Sequence, residues 1–334
     1  MYVGSYTKGK SEGIYQFIFN SETGSLKDKQ LVAKSNNPSY LVVSPTKDFV
    51  FAVSELSQYK NTPSGAVSSY SVRKNGTLEK ISELSSEGKH PCHLALNEKT
   101  NKLVVSNYSG GTFSLFNILE TGEIKRASQV VNLNKDSIVA HTHSAQFYKD
   151  ELFVADLGIN TLEHFSLSDT IYKPTKSISM EPKSGPRHFA MTESSDFMYV
   201  INEYANTVST LKKSKDSYLK IDDISTLRDS AVVKSFCADI HLSGDENFLY
   251  GSNRGENTIV VFKRNKKNGA LEKIQNISCH GNWPRNFTID PSGTFLLVAN
   301  QKSNNIAVFM IDKKTGKITF IYDIESDSPT CLSF

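Results

Sequence analysis

The sequence has no CxxC pair, no apolar run longer than a strand and no marked excess of either charge. Each lack closes a class of function. The four cysteines, Cys92, Cys237, Cys279 and Cys331, stand far apart, which argues against a thioredoxin-like motif and a structural zinc site. Scattered so widely, they are expected to be reduced, buried thiols of a cytosolic protein. The longest apolar runs, such as Phe295-Leu296-Leu297-Val298-Ala299, fall well short of the about 20 residues that span a membrane. The chain opens Met1-Tyr2-Val3-Gly4-Ser5 without a basic segment ahead of an apolar one, so no signal peptide is expected and the expected location is cytoplasmic. With 38 Lys and Arg against 35 Asp and Glu, a nucleic-acid partner gains no support. The pairs Lys212-Lys213 and Lys266-Lys267 read as solvated residues beside turns. No GxSxG elbow is present. Gly110-Gly111 lies between two strands instead of ahead of a helix, so it reads as a turn and not as a phosphate loop. Neither a membrane partner nor an obligate protein partner is expected.

What is present is a repeat. A short strand opening on Pro or a polar residue is followed by a turn and an aromatic-aliphatic strand that ends in Asn, Ser or Asp plus one variable residue. The copies cover residues 38–45 and 49–55, 91–96 and 103–108, 141–147 and 152–157, 185–191 and 197–203, 238–243 and 248–254, and 283–289 and 295–301. Their final positions 55, 108, 157, 203, 254 and 301 are 53, 49, 46, 51 and 47 residues apart. A period of about 50 built only of strands predicts propeller blades. Residues 329–334 read as a first strand with no second, and residues 2–6 as a second strand with no first. Joined, they make a seventh blade that closes the ring and limits open sheet edge. Glu22-Thr23-Gly24, Lys74-Asn75-Gly76, Glu120-Thr121-Gly122, Lys267-Asn268-Gly269 and Lys314-Thr315-Gly316 supply turns ahead of outer strands. Although 334 residues would by length suit two domains, no linker interrupts the repeat. The expectation is an all-β, seven-bladed β-propeller in one domain, residues 1–334.

In a blade the first two strands are antiparallel neighbours, so the start of one and the end of the other share a face. That arrangement predicts one rim carrying His93, His143, Arg187, Asp239 and Arg285 from strand starts. Tyr6, Glu55, Tyr108, Glu203, Arg254 and Gln301 join them from strand ends. Three arginines suit bidentate capture of a phosphate or carboxylate. His143 and Glu203 are candidates for general base or acid. His93, Tyr6, Gln301 and Asn253 complete the expected substrate-binding set with Arg285. His141 and His143 alternate and could share one side, but no third ligand accompanies them, so no metal is expected. Trp283, the single tryptophan, sits at a strand start as a core plug or as a stacking surface for ligand.

Ordered pieces of this pattern carry a resemblance. They are Asn-Pro-Ser-Tyr-Leu at 37–41, Pro-Cys-His at 91–93, His-Thr-His-Ser at 141–144 and Ser-Gly-Pro-Arg-His at 184–188. Asn-Glu at 202–203, Ser-Asn-Arg-Gly at 252–255, Trp-Pro-Arg-Asn-Phe at 283–287 and Ala-Asn-Gln at 299–301 follow. Together they resemble the propeller-type 6-phosphogluconolactonase family and the related carboxy-muconate cyclases. The resemblance implies a cytosolic hydrolase without a cofactor, opening 6-phosphogluconolactone to 6-phosphogluconate in the oxidative pentose phosphate route. It implies His143, Arg187, Glu203 and Arg254 as catalytic residues, with His141 close enough in sequence to take the place of His143. Rival readings are a cycloisomerase or lyase on a carboxylated lactone, a lactonase for another sugar, and a non-catalytic binding scaffold.

Overall fold

A computed structural model describes residues 1–229 and 233–334 of the chain. Apart from a three-residue 3-10 turn at Glu98–Thr100, every regular element among the described residues is a strand. Among the described residues no helix is long and apolar enough to cross a membrane. The chain folds as two compact units. The first comprises Met1–Phe17, Asp28–Ser179 and Ser333; the second comprises Ile18–Lys27, Met180–Leu332 and Phe334.

The strands form seven antiparallel sheets. In chain order, sheet one is Leu41–Val43, Phe49–Ser54, Ala66–Val72 and Leu78–Ser85; sheet two is Pro91–Asn97, Lys102–Asn107, Thr112–Ile118 and Ile124–Asn132. Sheet three is Thr142–Tyr148, Glu151–Asp156, Thr161–Ser168 and Ile171–Pro174. Its last strand pairs only with the far end of its neighbour, at Phe165–Ser168, which leaves Thr161 and Leu162 to pair with a fifth strand, Ile178–Ser179. Sheet four is Pro186–Met191, Phe197–Asn202, Thr207–Ser214 and Ser217–Ser225; sheet five is Phe236–Leu242, Phe248–Arg254, Thr258–Arg264 and Leu271–Ser278. Sheet six is Pro284–Ile289, Phe295–Asn300, Asn305–Ile311 and Ile318–Glu325. Sheet seven has the order Pro329–Ser333, Tyr2–Ser5, Gly13–Phe19 and Leu26–Lys34, so the first and last strands of the chain share it, as the sequence pattern predicts.

The second strands are apolar on both faces because each face meets a different neighbour. Leu103 and Val105 pack with Phe51, Val53 and Leu94, whereas Val104 between them packs with Ala145, Leu152 and Val154. In the second unit, Leu249 packs with Tyr199 and Ile201 while Phe248 and Tyr250 pack with Leu296 and Val298. A strand covered on both faces loses the polar alternation of a half-solvated one. All four cysteines are buried thiols, and burial pushes Cys237 and Cys279 up to about 12.

The turn glycines latch neighbouring sheets. Gly269 has φ +77°, which glycine adopts at no steric cost, and its carbonyl accepts the Tyr199 hydroxyl at 2.9 Å. A Cβ there would stand 2.4 Å from the buried Phe197 ring. Gly76, at φ +81°, accepts the Tyr2 hydroxyl at 2.9 Å in the same way. Its missing Cβ faces only the end of the Gln16 side chain, at 2.2 Å.

Candidate active site

The site residues are aimed by β-bulges. In sheet four, Pro186 pairs with Asn202 and His188 with Ile201, so Arg187 is the extra residue. Arg285 is the extra residue between Pro284 and Asn286, His143 that between Thr142 and Ser144, and Cys92 that between Pro91 and His93. In sheet five the shift spans Ala238 and Asp239. A bulge bends its strand and redirects the unpaired side chain. Here it recurs at one place in five sheets, at the end where the second strand finishes.

In the second unit these bulges assemble an ion cluster. Arg187 is 2% exposed, and its Nε lies 3.0 Å from Oε2 of Glu203. Nη2 of Arg254 lies 2.8 Å from the same oxygen. Neighbouring main chain holds both guanidiniums: Arg187 Nη1 donates to the Ala238 carbonyl, and Arg254 Nη2 donates to that of Cys237 at 2.9 Å. The Glu203 side chain keeps 14% of its surface open. Burial and then the charge of Arg254 lower Arg187 to about 10, with Glu203 opposing and Arg285 adding to the fall. Burial also lowers Arg254, against Glu203. Arg285 is half-buried. The guanidinium of Arg254 lies 5.4 Å from the centre of the Trp283 ring, and Lys302 Nζ 3.2 Å from it. Trp283 is thus a platform for cations. Gln301 is half-buried beside this loop, its backbone N–H donating to the Trp283 carbonyl at 3.1 Å, and its buried Oε1 has no hydrogen-bond partner among the described residues.

A family model described as "Lactonase, 7-bladed beta-propeller" matches residues 1–334. The chain belongs to this family. The 6-phosphogluconolactonase of Bacillus subtilis is 32% identical over 306 residues, 89% of this chain and 86% of that protein. The 6-phosphogluconolactonase of Formosa agariphila is 37% identical over 316 residues, 89% of this chain and 88% of that one. A crystal structure from Bacteroides fragilis is 33% identical with a TM-score of 0.90, covering 99% of this chain and 96% of its own. The fold is that of a seven-bladed β-propeller, the class expected from the repeat.

The structure gives Asp239, which the repeat places on the rim without a role, a specific set of partners. Asp239 is the hub of a buried network. Its Oδ1 lies 2.7 Å from His188 Nδ1 and accepts Ile240 N–H at 3.0 Å. Its Oδ2 lies 3.1 Å from His241 Nε2 and accepts Asn286 Nδ2 at 2.5 Å and Phe287 N–H at 3.2 Å. Against burial, which alone would raise it, His241 and His188 hold the Asp239 carboxyl well below the usual range. Burial and then Arg187 push His188 down to about 4. Only the adjacency of charged residues to the repeat's strand starts signalled this in the sequence.

Two expected substrate-binding residues fall elsewhere. His93 is 4% exposed and occupies the paired position after the bulge, where Cys92 is the bulged residue. Its Nδ1 accepts Ala145 N–H at 3.4 Å, as Asn286 Oδ1 accepts Leu332 N–H at 2.8 Å. Its place is that of a stitch between inner strands, which lack ladder bonds to one another. Asn253 is fully buried, donating to Thr226 O at 3.0 Å and Thr258 Oγ1 at 3.1 Å, so its amide serves the strand end.

The first unit carries a different group. The Tyr6 hydroxyl reaches Glu55 Oε1 and Oε2 at 2.9 and 2.8 Å. His143 is 5% exposed and meets Tyr108 edge-on at 5.7 Å. His141 stacks on Tyr108 at 4.6 Å, its Nδ1 3.2 Å from the Tyr108 carbonyl oxygen. The two histidines therefore play separate parts on one phenol ring. Among the described residues no group of three or more His, Cys, Asp or Glu is placed to hold a metal ion.

Proposed function

We propose that the protein hydrolyses 6-phosphogluconolactone to 6-phosphogluconate, binding the substrate at the arginine cluster. The observation that carries this is a charge imbalance. Two guanidiniums, Arg187 and Arg254, converge on the one carboxylate of Glu203, and Arg285 is near enough to lower Arg187, a concentration of positive charge that calls for an anion. An ester carbonyl that becomes an oxyanion and a phosphate monoester both meet that need. Relatives bearing the name 6-phosphogluconolactonase at 32% and 37% identity support the choice.

In the proposed mechanism, Arg285, the most open of the three, holds the 6-phosphate. Arg187 and Arg254 stabilise the charge that develops on the carbonyl oxygen, usually the largest catalytic contribution. In both ion pairs the carboxylate oxygen nearest the guanidinium is Oε2. Oε1 of Glu203 takes the proton of the attacking water. Hydroxide adds to the carbonyl carbon, the ring C–O bond breaks, and the departing oxygen takes the proton back. His143 is the second base that the sequence offers; separate Glu203→Gln and His143→Gln variants assign the step by which one loses kcat. A place in the oxidative pentose phosphate route follows from this substrate, and no cofactor enters the scheme.

The test is lactone hydrolysis above the spontaneous rate with phosphorylated and unphosphorylated gluconolactone. Arg285→Ala should raise KM for the phosphorylated lactone by about 10- to 100-fold, the worth of one charge-assisted contact. The unphosphorylated lactone should change by less than about threefold. An equal loss on both substrates would remove the phosphate from Arg285.

A further inference from the structure

We propose that Asp239 is the positioning residue of the arginine site, holding the strands that present Arg187 and Arg285 in register with its own strand, which is ladder-paired to the strand of Arg254. The inference rests on the reading of that cluster as the lactone site. Asp239 lies on Phe236–Leu242, whose carbonyls at Cys237 and Ala238 hold Arg254 and Arg187. Through His188 at 2.7 Å it grips the strand of Arg187, one residue beyond that arginine. Through Asn286 at 2.5 Å and Phe287 N–H at 3.2 Å it grips the strand of Arg285, again one and two residues beyond. These inner strands belong to different sheets, so no ladder bonds fix their spacing. A single carboxylate, 4% exposed and accepting from both neighbours, does so instead. Removing it frees the bulges that aim the guanidiniums. Displacement of about 1 Å at such a site costs on the order of 100-fold in rate.

Asp239→Asn puts an amide N–H against donors on one side and tests the idea. Asp290→Asn is the matched control: Asp290 is 2% exposed, and its Oδ1 accepts Thr294 N–H at 2.8 Å and Phe295 N–H at 2.7 Å, at the opposite end of the Arg285 strand. The emission of Trp283, the chain's one tryptophan, reports on Arg254 without any turnover. The expected result for Asp239→Asn is a loss of kcat/KM of about 100-fold. Trp283 emission should shift, and its titration with inorganic phosphate should weaken about tenfold. Asp290→Asn should keep all three near wild type even at an equal loss of Tm. Wild-type turnover, emission and phosphate affinity in Asp239→Asn would overturn the proposal, as would activity losses in both variants that simply follow Tm. If Asp239→Asn fails to fold, Asn286→Ala removes one donor and leaves the carboxylate; unchanged emission and phosphate affinity there overturn it equally. A wild-type protein that hydrolyses no lactone defeats the lactonase reading, and the phosphate titration still decides the role of Asp239.

Discussion

Glu55 and Glu203 occupy the same place in the repeat, one residue past the end of a second strand, yet their surroundings give them different chemistry. Glu55 is met by a phenol, the Tyr6 hydroxyl bridging both carboxylate oxygens at 2.9 and 2.8 Å. Glu203 is met by two buried guanidiniums at 3.0 and 2.8 Å. Tyr6 and Arg254 are themselves occupants of strand ends, Tyr6 just past Ser5 and Arg254 closing Phe248–Arg254. The repeat thus supplies equivalent sockets, and the residue filling a neighbouring socket decides whether a carboxylate meets a phenol or a guanidinium. A phenol demands no counter-charge; two guanidiniums in a buried setting do.

The sharpest way to break this contrast is to neutralise each carboxylate in turn. Glu203→Gln should cost kcat about 1000-fold, since it removes the base and the anchor of two arginines together. Glu55→Gln should leave kcat within about threefold, because a glutamine oxygen still accepts the phenol. Steady-state kinetics on the phosphorylated lactone decide it, and comparable losses would erase the distinction between the two sockets.

A smaller effect comes from acid. His188 lies against Arg187 and Asp239, with His241 on the far side of that carboxylate. Well above pH 6.5 its lowered pKa has no consequence, because folded and unfolded chains are both neutral there. As pH falls from 6.5 towards about 4, the unfolded chain takes up a proton that the folded chain refuses, and stability drops. The full loss is on the order of 3 kcal/mol. His241 works the opposite way, since Asp239 raises it against burial. His188→Gln should therefore flatten the decline of Tm between pH 6.5 and 4; an unaltered slope would mean that His188 is not held neutral.

The smallest difference concerns the latches. Both Gly269→Ala and Gly76→Ala place a side chain at positive φ, but the first meets a packed Phe197 ring and the second the mobile end of Gln16. Gly269→Ala should cost about 1–2 kcal/mol more in denaturant unfolding. Equal costs would show that backbone strain alone sets the penalty.

Much of this was legible beforehand. The period, the apolar second strands, the turn glycines and the split of one blade between the chain ends all follow from local patterning, which has the two-residue rhythm of a strand and the steric demands of a turn. The arginines and Glu203 were legible too, since charged residues beside buried strands stand out. His93 lies one residue past the extra residue of its strand, Cys92, and the repeat pattern does not show which of the two is the extra one. A bulge shifts the pairing by one residue and reverses which side chain points where. Pro91, Pro186 and Pro284 stand just ahead of the extra residue and Thr142 does so ahead of His143, whereas the extra residues Cys92, His143, Arg187 and Arg285 share the position without sharing chemistry.

The amino-acid sequence by itself thus determined seven sheets and the end of each at which polar residues gather, because those properties depend on neighbours within a strand or turn. Tertiary structure alone decided which of those residues touch. Asp239 meets His188 across 51 residues and Asn286 across 47. Such meetings depend on the packing of one sheet against the next, a distance over which no local preference in the chain can act.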